Sequence, residues 1–577
     1  MNFNKNIFRV NTALCILYFF LLACYVSYPL IFQINSYIYD ASDAYLIVWI
    51  QNWTKEVLFS NATLLFQSPS FYPFEDTLAY SHLHLSTTLI ALLFSLLIDE
   101  PVALYNLSII LSISLTGFFA CLLMNKLTKN YLASFLGASL FVLSPLYLGR
   151  IINIHLLSLF FIPLSFHMFI LYKEKKQFKY LLVLGMTTLF QMLNSFIAGY
   201  ILLFSITILM LFAYYKKDVE VLSALSFKVV ILFITILTII IIFALPYFKV
   251  SHEFSYVRDI RETIHTAIQP EDFFSTNVHN IFDKYFKSLS FNQHPDAKGG
   301  FFGLFLTALM PFLIYYGVKQ RNTYIFPFLV IGVVGYVLSL GPFLHFGRST
   351  IHDPFPIPLP YVFFYYLVPG FQGFRDSSSF ILMSLFGFTL VSAYLFQEIF
   401  NKIGKKYSII IFFVVIALTL IEVQSPQKFA YVTKKNNFPK EHYFLKNSPQ
   451  NSTYVEMPIY VWNMSNYVKQ ESYRQYFSTL HFRKSMNGAS GFTPPIWEKE
   501  VYALYDTFPS NISYEYFKNK GIKYVIVHFD EFEKMSNDNF IINNKKVDSA
   551  RNIKDKIRQS LYQEQFVTQN TGVYLIK

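Results

Sequence analysis

The sequence has few charged residues. Only 14% of its 577 residues are Asp, Glu, Lys or Arg, whereas about 25% is typical of a soluble domain. The composition is 54% hydrophobic and 19% aromatic, which is too apolar for a soluble globule or a disordered chain. Both classes are excluded, and a membrane protein with several spans remains.

Cysteine and the common catalytic motifs are also scarce. The three cysteines, Cys15, Cys24 and Cys121, lie in apolar runs, so neither a disulfide framework nor a zinc-binding spacing is present. The sequence contains no GxxxxGK[ST], GxSxG or HExxH motif. These absences argue against an ATP-driven pump and against a sugar-nucleotide donor.

Long apolar runs are abundant. The first, 11–32, is longer than the roughly 7–15 residues of a signal-peptide core and is followed by no small-x-small cleavage site, so we interpret it as a retained span. A shorter run, 84–98, is interpreted as a juxtamembrane or re-entrant helix. The sequence predicts eleven spans: 11–32, 102–124, 131–149, 154–172, 180–195, 198–215, 225–248, 301–318, 324–340, 376–398 and 407–424.

The distribution of basic residues predicts the topology. With the N-terminus in the cytoplasm and 84–98 not crossing, sixteen Lys and Arg residues fall in short inside loops, whereas the outside loop 33–101 has only Lys55. The net charge of +12 is thereby explained without nucleic-acid binding. We expect a multi-pass protein of the bacterial cytoplasmic (inner) membrane.

This topology leaves three long outside loops, 33–101, 249–300 and 341–375, and places the chain after 424 outside. We expect a transmembrane module over 1–424 and a small extracytoplasmic α/β domain over 425–577, because the tail has short apolar stretches and mixed charges. In the tail, 452–459, 523–529 and 571–577 are predicted strands, and 513–521 and 549–562 are predicted helices.

The first outside loop is acidic and contains two candidate catalytic carboxylates, Asp40 and Asp43. Asp43 is also a candidate helix N-cap, which is the structural alternative. Trp49 and Trp53 follow at helical spacing and predict an interfacial helix on the membrane surface.

Basic residues at the predicted outer face are candidates for substrate binding. Arg150 and His155 lie in the turn between two spans, and Arg258 is expected to share a helical face with Arg261 and His265. Arg375 lies at a membrane boundary. Each has a structural alternative. Arg150 is alternatively a snorkelling side chain and His155 a satisfied buried residue. Arg258 is alternatively part of a solvated charged face, and Arg375 pairs with Asp376 or interacts with a helix dipole.

An ordered set of segments resembles a branch of bacterial proteins in the GT-C glycosyltransferase superfamily. These segments are FYPFEDTLAYS (71–81), SP (144–145), YVLSLGP (336–342), IPLPYVFFYYLVPGFQGFR (357–375), MNGASGFTPP (486–495) and GIKYVIVH (521–528). The resemblance covers nearly the whole chain and implies a GT-C-like fold with about eleven transmembrane helices.

The resemblance implies sugar transfer, with inversion, from a polyprenyl-phosphate or polyprenyl-diphosphate donor to an acceptor on the extracytoplasmic side. It implies Asp43 as the general base, with Asp40 the weaker match, and Arg258 and Arg375 as ligands of the donor phosphate. Oligosaccharyltransferase-like members have acidic metal ligands in the second outside loop, where this sequence has Arg150 and His155. This departure favours a metal-independent mechanism without a cofactor and makes His155 a candidate donor to phosphate or sugar.

One further departure concerns His82, which stands where an acidic residue is expected after LAYS; it is retained as a substrate-binding candidate. The acceptor is expected to be a glycan, a lipid or a protein. The alternative function is a non-enzymatic transporter of lipid-linked sugars or an assembly factor for surface polysaccharide, although the sequence lacks the internal symmetry of many transporters. A glycan polymerase or ligase is a third, chemically related possibility.

Overall fold

The computed structural model describes residues 3–39, 43–217, 227–274, 281, 299–320, 324–346, 349–350, 356–423, 429–464, 467 and 469–577. Asp40, one of the two predicted catalytic carboxylates, lies outside the described residues.

Helices dominate the chain up to residue 423. Two are short turns, α6 and α7, and a small hairpin precedes α15. These elements are α1 (Phe3–Val26), β1 (Tyr37–Tyr39), α2 (Asp43–Ser60), α3 (Leu85–Phe94), α4 (Pro101–Thr128), α5 (Tyr131–Val142), α6 (Pro145–Leu148), α7 (Ile154–Leu157), α8 (Phe161–Lys175), α9 (Phe178–Asn194), α10 (Phe196–Tyr215), α11 (Phe227–Glu253), α12 (Ile260–Thr266), α13 (Leu304–Gln320), α14 (Ile325–Ser339), β2 (His345–Phe346), β3 (Ser349–Thr350), α15 (Tyr361–Leu367), α16 (Ile381–Ile403) and α17 (Lys405–Glu422).

Each predicted span coincides with a helix of the described chain. By length and composition, five helical segments of the described residues are able to cross a membrane: Pro101–Thr128, Ile154–Lys175, Phe196–Tyr215, Phe227–Glu253 and Ser377–Ile403. The other spans correspond to shorter or less apolar helices, so the count of eleven stays a prediction. The ten residues of α3 extend about 15 Å, half of a hydrocarbon core of roughly 30 Å.

Small residues let α14 and α16 pack closely. A Cβ atom at Gly387 would lie 2.5 Å from the backbone nitrogen of Gly332, and one at Gly335 would lie 2.6 Å from that of Ser384. The Ser384 hydroxyl donates to the Gly332 carbonyl at 2.6 Å. Small residues at a helix crossing are typical of membrane-embedded bundles, where backbone proximity supplies dispersion and polar contacts. This contact forms the centre of the helical module.

The chain after residue 428 forms a five-stranded sheet with helices. Its elements are β4 (Phe429–Tyr431), α18 (Lys440–Asn447), β5 (Thr453–Met457), α19 (Lys469–Ser478), β6 (Lys484–Ser485), α20 (Pro495–Thr507), α21 (Asn511–Asn519), β7 (Tyr524–His528), α22 (Phe529–Asn537), β8 (Ile541–Ile542), β9 (Lys545–Lys546), α23 (Ala550–Arg558), β10 (Gln563–Val567) and β11 (Thr571–Leu575).

The order of strands in this sheet is β10-β11-β7-β5-β6. The central strand β7 is parallel to β5 and antiparallel to β11, and all five residues of both β5 and β7 are buried. The capping box of Ser510 and Ser513 fixes the start of α21. The three segments that the sequence predicts as strands, 452–459, 523–529 and 571–577, contain β5, β7 and β11 of this sheet.

Two backbone pairings hold the sheet region against the helical module. Strand β1 pairs with β4, with Tyr37 opposite Tyr431. Residues 69–72 pair with 485–487: Ser485 N–H donates to the Pro69 carbonyl at 2.7 Å and Tyr72 N–H donates to the Ser485 carbonyl at 2.8 Å. Phe71 is buried in the same apolar core as the sheet. The segments after α1 and after α17 therefore lie on one side of the membrane, and the chain crosses an even number of times between them.

Candidate functional site

Three histidines from two distant segments meet at one place, and we call them the histidine cluster. His82 and His84 lie in the turn before α3, and His155 lies in α7. The ring centres of His82 and His155 are 4.3 Å apart, and that of His84 is 5.3 Å from His155. Asn194 at the end of α9 donates its side-chain N–H to the His155 carbonyl at 2.9 Å and so fixes α7 against the bundle.

The surroundings keep two of these rings neutral. Burial lowers the pKa of His82 from 6.5 to about 4, and the positive charge of Arg258 acts in the same direction. Burial lowers the pKa of His84 to about 3, with His82 as a smaller cause. Within the described part of the chain, Nδ1 of His84 has no hydrogen-bond partner. Neutral imidazoles near a cation are able to donate and accept hydrogen bonds without adding charge.

Arg258 lies beside the histidine cluster, where the chain leaves α11. Its Nη1 donates to Glu262 at 2.9 Å and its Nη2 donates to the Gly491 carbonyl at 3.1 Å. The Arg258 backbone is held by Gln372 and by the hydroxyl of Tyr365, which donates to the Arg258 carbonyl. Helix α12 begins two residues later, capped by the Asp259 side chain.

Because Arg258 precedes this helix, the predicted helical face shared by Arg258, Arg261 and His265 is wrong. The carboxylate of Asp259 accepts from the backbone N–H of Arg261. Asp259 is therefore the N-cap, and the helix begins at Ile260, two residues after Arg258.

Tyr256 lies beside Arg258 and feels the charge of Arg375. The guanidinium of Arg258 lies 5.3 Å from the centre of the Tyr256 ring. Burial raises the pKa of Tyr256 above its ordinary value, and the charges of Arg258 and Arg375 oppose this rise. Arg375 is exposed, and its carbonyl accepts from the Thr266 hydroxyl at 2.6 Å. Three predicted residues, His82, His155 and Arg258, thus lie close together, and Arg375 is near enough for its charge to act on Tyr256.

The side chain of Arg150 is bound to Asp376 and does not belong to this group of residues. Its side chain is buried and forms an ion pair with Asp376 at 3.2 Å, with further hydrogen bonds to the carbonyl and hydroxyl of Ser378. The pairing of Asp376 with its neighbour Arg375 that the sequence suggested is therefore replaced by a contact across 226 positions of the chain. Because its guanidinium is buried and already paired, Arg150 holds the start of α16 in place. We therefore do not assign Arg150 to binding of the sugar donor.

Asp43 is the first residue of α2, and its side chain is exposed. The same helix is otherwise largely buried. Trp49 donates its indole N–H to the Ser478 hydroxyl at 3.0 Å, and Trp53 donates to the Leu65 carbonyl at 2.9 Å. The prediction that these tryptophans lie at the membrane surface is wrong, because α19 of the sheet region covers α2.

The site has the features needed to hold a phosphorylated ligand. Two guanidinium groups supply positive charge with planar donor geometry, and the histidines supply neutral hydrogen-bonding groups next to them. Among the described residues, no group of three His, Cys, Asp or Glu side chains is arranged to hold a metal ion; the independence from metal remains a prediction.

The sequence does not single out three residues of the site: His84, Tyr256 and Phe492, whose ring lies 4.3 Å from that of Tyr256. His84 appears in the sequence only as the boundary of the apolar run 84–98, and Phe492 only within the segment 486–495 of the resemblance. A polar residue at the end of an apolar run is a usable signal for His84. With 65 Phe and 42 Tyr in the chain, no sequence signal distinguishes Tyr256 and Phe492 from the other aromatic residues.

Comparison with known proteins gives a family and a fold. The family model described as a domain of unknown function, DUF6311, matches residues 70–424. No curated protein sequence matches the chain.

Among solved structures, the cryo-EM structure of the arabinofuranosyltransferase AftD from Mycobacteria superposes with a TM-score of 0.51 at 10% identity, over 93% of this chain and 40% of that one. A mutant of AftD gives 0.52 at 12% identity, over 98% and 41%. The apo oligosaccharyltransferase of Archaeoglobus fulgidus gives 0.46 at 13% identity, over 90% and 70%. The chain thus spans about two fifths of the length of AftD. The likeness to AftD shows that the two proteins share a fold.

Proposed function

We propose that this chain, which belongs to the DUF6311 family, is a membrane glycosyltransferase. It transfers a sugar from a polyprenyl-phosphate or polyprenyl-diphosphate donor to an acceptor outside the cytoplasm. The observation that carries the proposal is the convergence of His82, His155 and Arg258, from three separate segments, on one place in a GT-C fold. The name of AftD, an arabinofuranosyltransferase of the same fold, supports transfer of a sugar.

The assigned chemistry follows from the charges. When the glycosidic bond to the lipid phosphate breaks, negative charge develops on the leaving oxygen, and Arg258 and Arg375 stabilise it. His82 and His155 orient the phosphate or the sugar by hydrogen bonds. Asp43 accepts the proton of the acceptor hydroxyl as general base, a contribution typically worth about 10²–10⁴-fold in rate. The donor phosphate leaves with the lipid, so no external energy source is needed.

The test is a comparison of the glycans and glycolipids of a deletion strain with those of its parent. We expect one sugar to be missing from the deletion strain and to return when the wild-type chain is supplied. Asp43→Asn is expected to be produced in the membrane at normal levels and to leave the sugar missing.

Asp530→Asn is the matched control, because Asp530 is also an exposed carboxylate in the first turn of a helix, α22. It is expected to restore the sugar. Restoration by Asp43→Asn would exclude Asp43 as the base. An unchanged set of glycans in the deletion strain, together with movement of an intact lipid-linked sugar across the membrane, would favour the transporter alternative instead.

A further inference from the structure

The segment 487–493 connects β6 to α20 and is anchored at its first residue. The side chain of Asn487 binds both backbone groups of Glu456 in β5: its Oδ1 accepts from the Glu456 N–H at 2.7 Å and its Nδ2 donates to the Glu456 carbonyl at 2.9 Å. The Asn487 carbonyl accepts from the Phe71 N–H at 3.0 Å. The start of the segment is therefore fixed to the sheet and to the first outside loop at once.

The next residue passes directly over a buried ring. A Cβ atom at Gly488 would lie 2.5 Å from two carbon atoms of the Phe71 side chain, closer than real Cβ atoms approach. Phe71 is fully buried and in turn contacts the rings of Tyr80 and Trp497. A side chain at position 488 therefore has no space, and the backbone of the segment packs directly on Phe71.

The end of the segment contacts the site in two ways. The Gly491 carbonyl accepts from Nη2 of Arg258 at 3.1 Å. Phe492 is 8% exposed, and its ring lies 4.3 Å from that of Tyr256. The Arg258 guanidinium also lies against Tyr256, 5.3 Å from the centre of its ring. Phe492, Tyr256 and Arg258 therefore form a series of contacts that begins in the sheet region and ends at the site.

We propose that the segment 487–493 positions Arg258 for the phosphate of the lipid-linked donor, with Phe492 acting through Tyr256 and Gly491 through its carbonyl; this rests on the proposed function. An arginine side chain loses rotamer entropy when it is held in place, and a guanidinium oriented in advance loses less of it on binding. Among the described residues, Glu262 and Gly491 accept two of the five N–H donors, which leaves donors for a phosphate. Phe492 is thus a positioning residue, and the sheet region completes the site.

The experiment measures binding of farnesyl phosphate, a short polyprenyl phosphate, to the full chain purified in detergent. Loss of a charged hydrogen-bonding group in Arg258→Ala is expected to weaken binding about 10- to 100-fold. Loss of preorganisation in Phe492→Ala is expected to weaken it about 2- to 10-fold. In the Arg258→Ala background, Phe492→Ala is expected to have almost no further effect, because it acts through Arg258. Phe492→Tyr, which keeps the ring, is expected to bind as the wild type does.

The matched control is Phe532→Ala, which removes another buried ring of the same apolar core, in α22. It is expected to lower the thermal stability but to leave the affinity for farnesyl phosphate unchanged. Equal losses of affinity from Phe492→Ala with and without Arg258, or a loss as large from Phe532→Ala, would overturn the positioning role while leaving the donor site intact. A wild-type chain that fails to bind farnesyl phosphate would overturn the donor site and, with it, both proposals.

Discussion

At the residue scale, the neutral histidines give the site a defined response to acid. The pKa of His84 falls from 6.5 to about 3 in the folded chain because the ring is buried. Between these values the unfolded chain binds a proton that the folded chain does not, so stability is complete above about pH 6.5 and declines as the pH falls towards 3. One such group changes the free energy of unfolding by about 1.4 kcal/mol per pH unit within this window.

The variant His84→Asn tests this response. Removal of the buried ring is expected to make the melting temperature of the detergent-purified chain less dependent on pH between about 4 and 6.5, whereas above pH 7 the dependence is expected to match that of the wild type. His252→Asn, which replaces an exposed histidine at the end of α11, serves as the control and is expected to keep the wild-type slope. An unchanged slope in His84→Asn would show that this ring is already protonated in the folded state.

The residues of the site also show what a sequence is able to predict. His155 is predicted because polar groups beside apolar spans are costly, whereas His82, Arg258 and Arg375 are predicted from the resemblance, and their roles stay predictions. Their convergence was not predictable, because it depends on contacts between segments far apart in the chain. The ion pair of Arg150 with Asp376 illustrates the difficulty: the nearest arginine in sequence, Arg375, is not the partner.

At the scale of elements, the crossing of α14 and α16 has no space for an added methyl group. In Gly387→Ala, the new methyl group would lie 2.5 Å from the Gly332 nitrogen and the Phe328 carbonyl oxygen, so the two helices must separate. Overpacking of this kind typically costs about 1–3 kcal/mol. We expect a clearly lower melting temperature in detergent.

Gly373→Ala is the matched control for this substitution, since a Cβ atom at position 373 meets no heavy atom within 4 Å. Its melting temperature is expected to stay close to that of the wild type. Equal stability of the two alanine variants would mean that α14 and α16 are not in close contact in the membrane.

The elements themselves were predictable to different degrees. Apolar runs locate the helices well, because length and hydropathy are local properties. The strands β5, β7 and β11 were found from short apolar stretches between turns. The environment of α2 was mistaken, because Trp49 and Trp53 at helical spacing fit a membrane surface as well as they fit a protein interface. The choice between these depends on α19, more than 400 residues away in the sequence.

At the scale of the whole molecule, the backbone pairings restrict the topology. The pairing of β1 with β4 requires an even number of crossings between residues 39 and 429. Ten of the predicted spans lie in this interval, which satisfies the requirement, whereas an additional crossing by α3 alone would make the number odd. The hydrogen bond of Arg258 with Gly491 likewise requires an even number of crossings between them. The structure thus relates the segments to each other, and the basic residues predict which side is the cytoplasm.

Labelling of introduced cysteines tests this topology. Lys176, after α8, and Lys546, in β9, are both exposed. The native Cys15 and Cys121 are buried but Cys24 is only partly buried, so both variants are made in a Cys24→Ser background to keep background labelling low. With a maleimide that does not cross membranes, Lys546→Cys is expected to react in cells whose outer permeability barrier is opened. Lys176→Cys is expected to react only after the cytoplasmic membrane is disrupted, because a loop with four lysines stays inside. Reaction of both before disruption would place the loop after α8 on the same side as the sheet region. This result would contradict the three crossings predicted between the loop 33–101 and Lys176, at 102–124, 131–149 and 154–172.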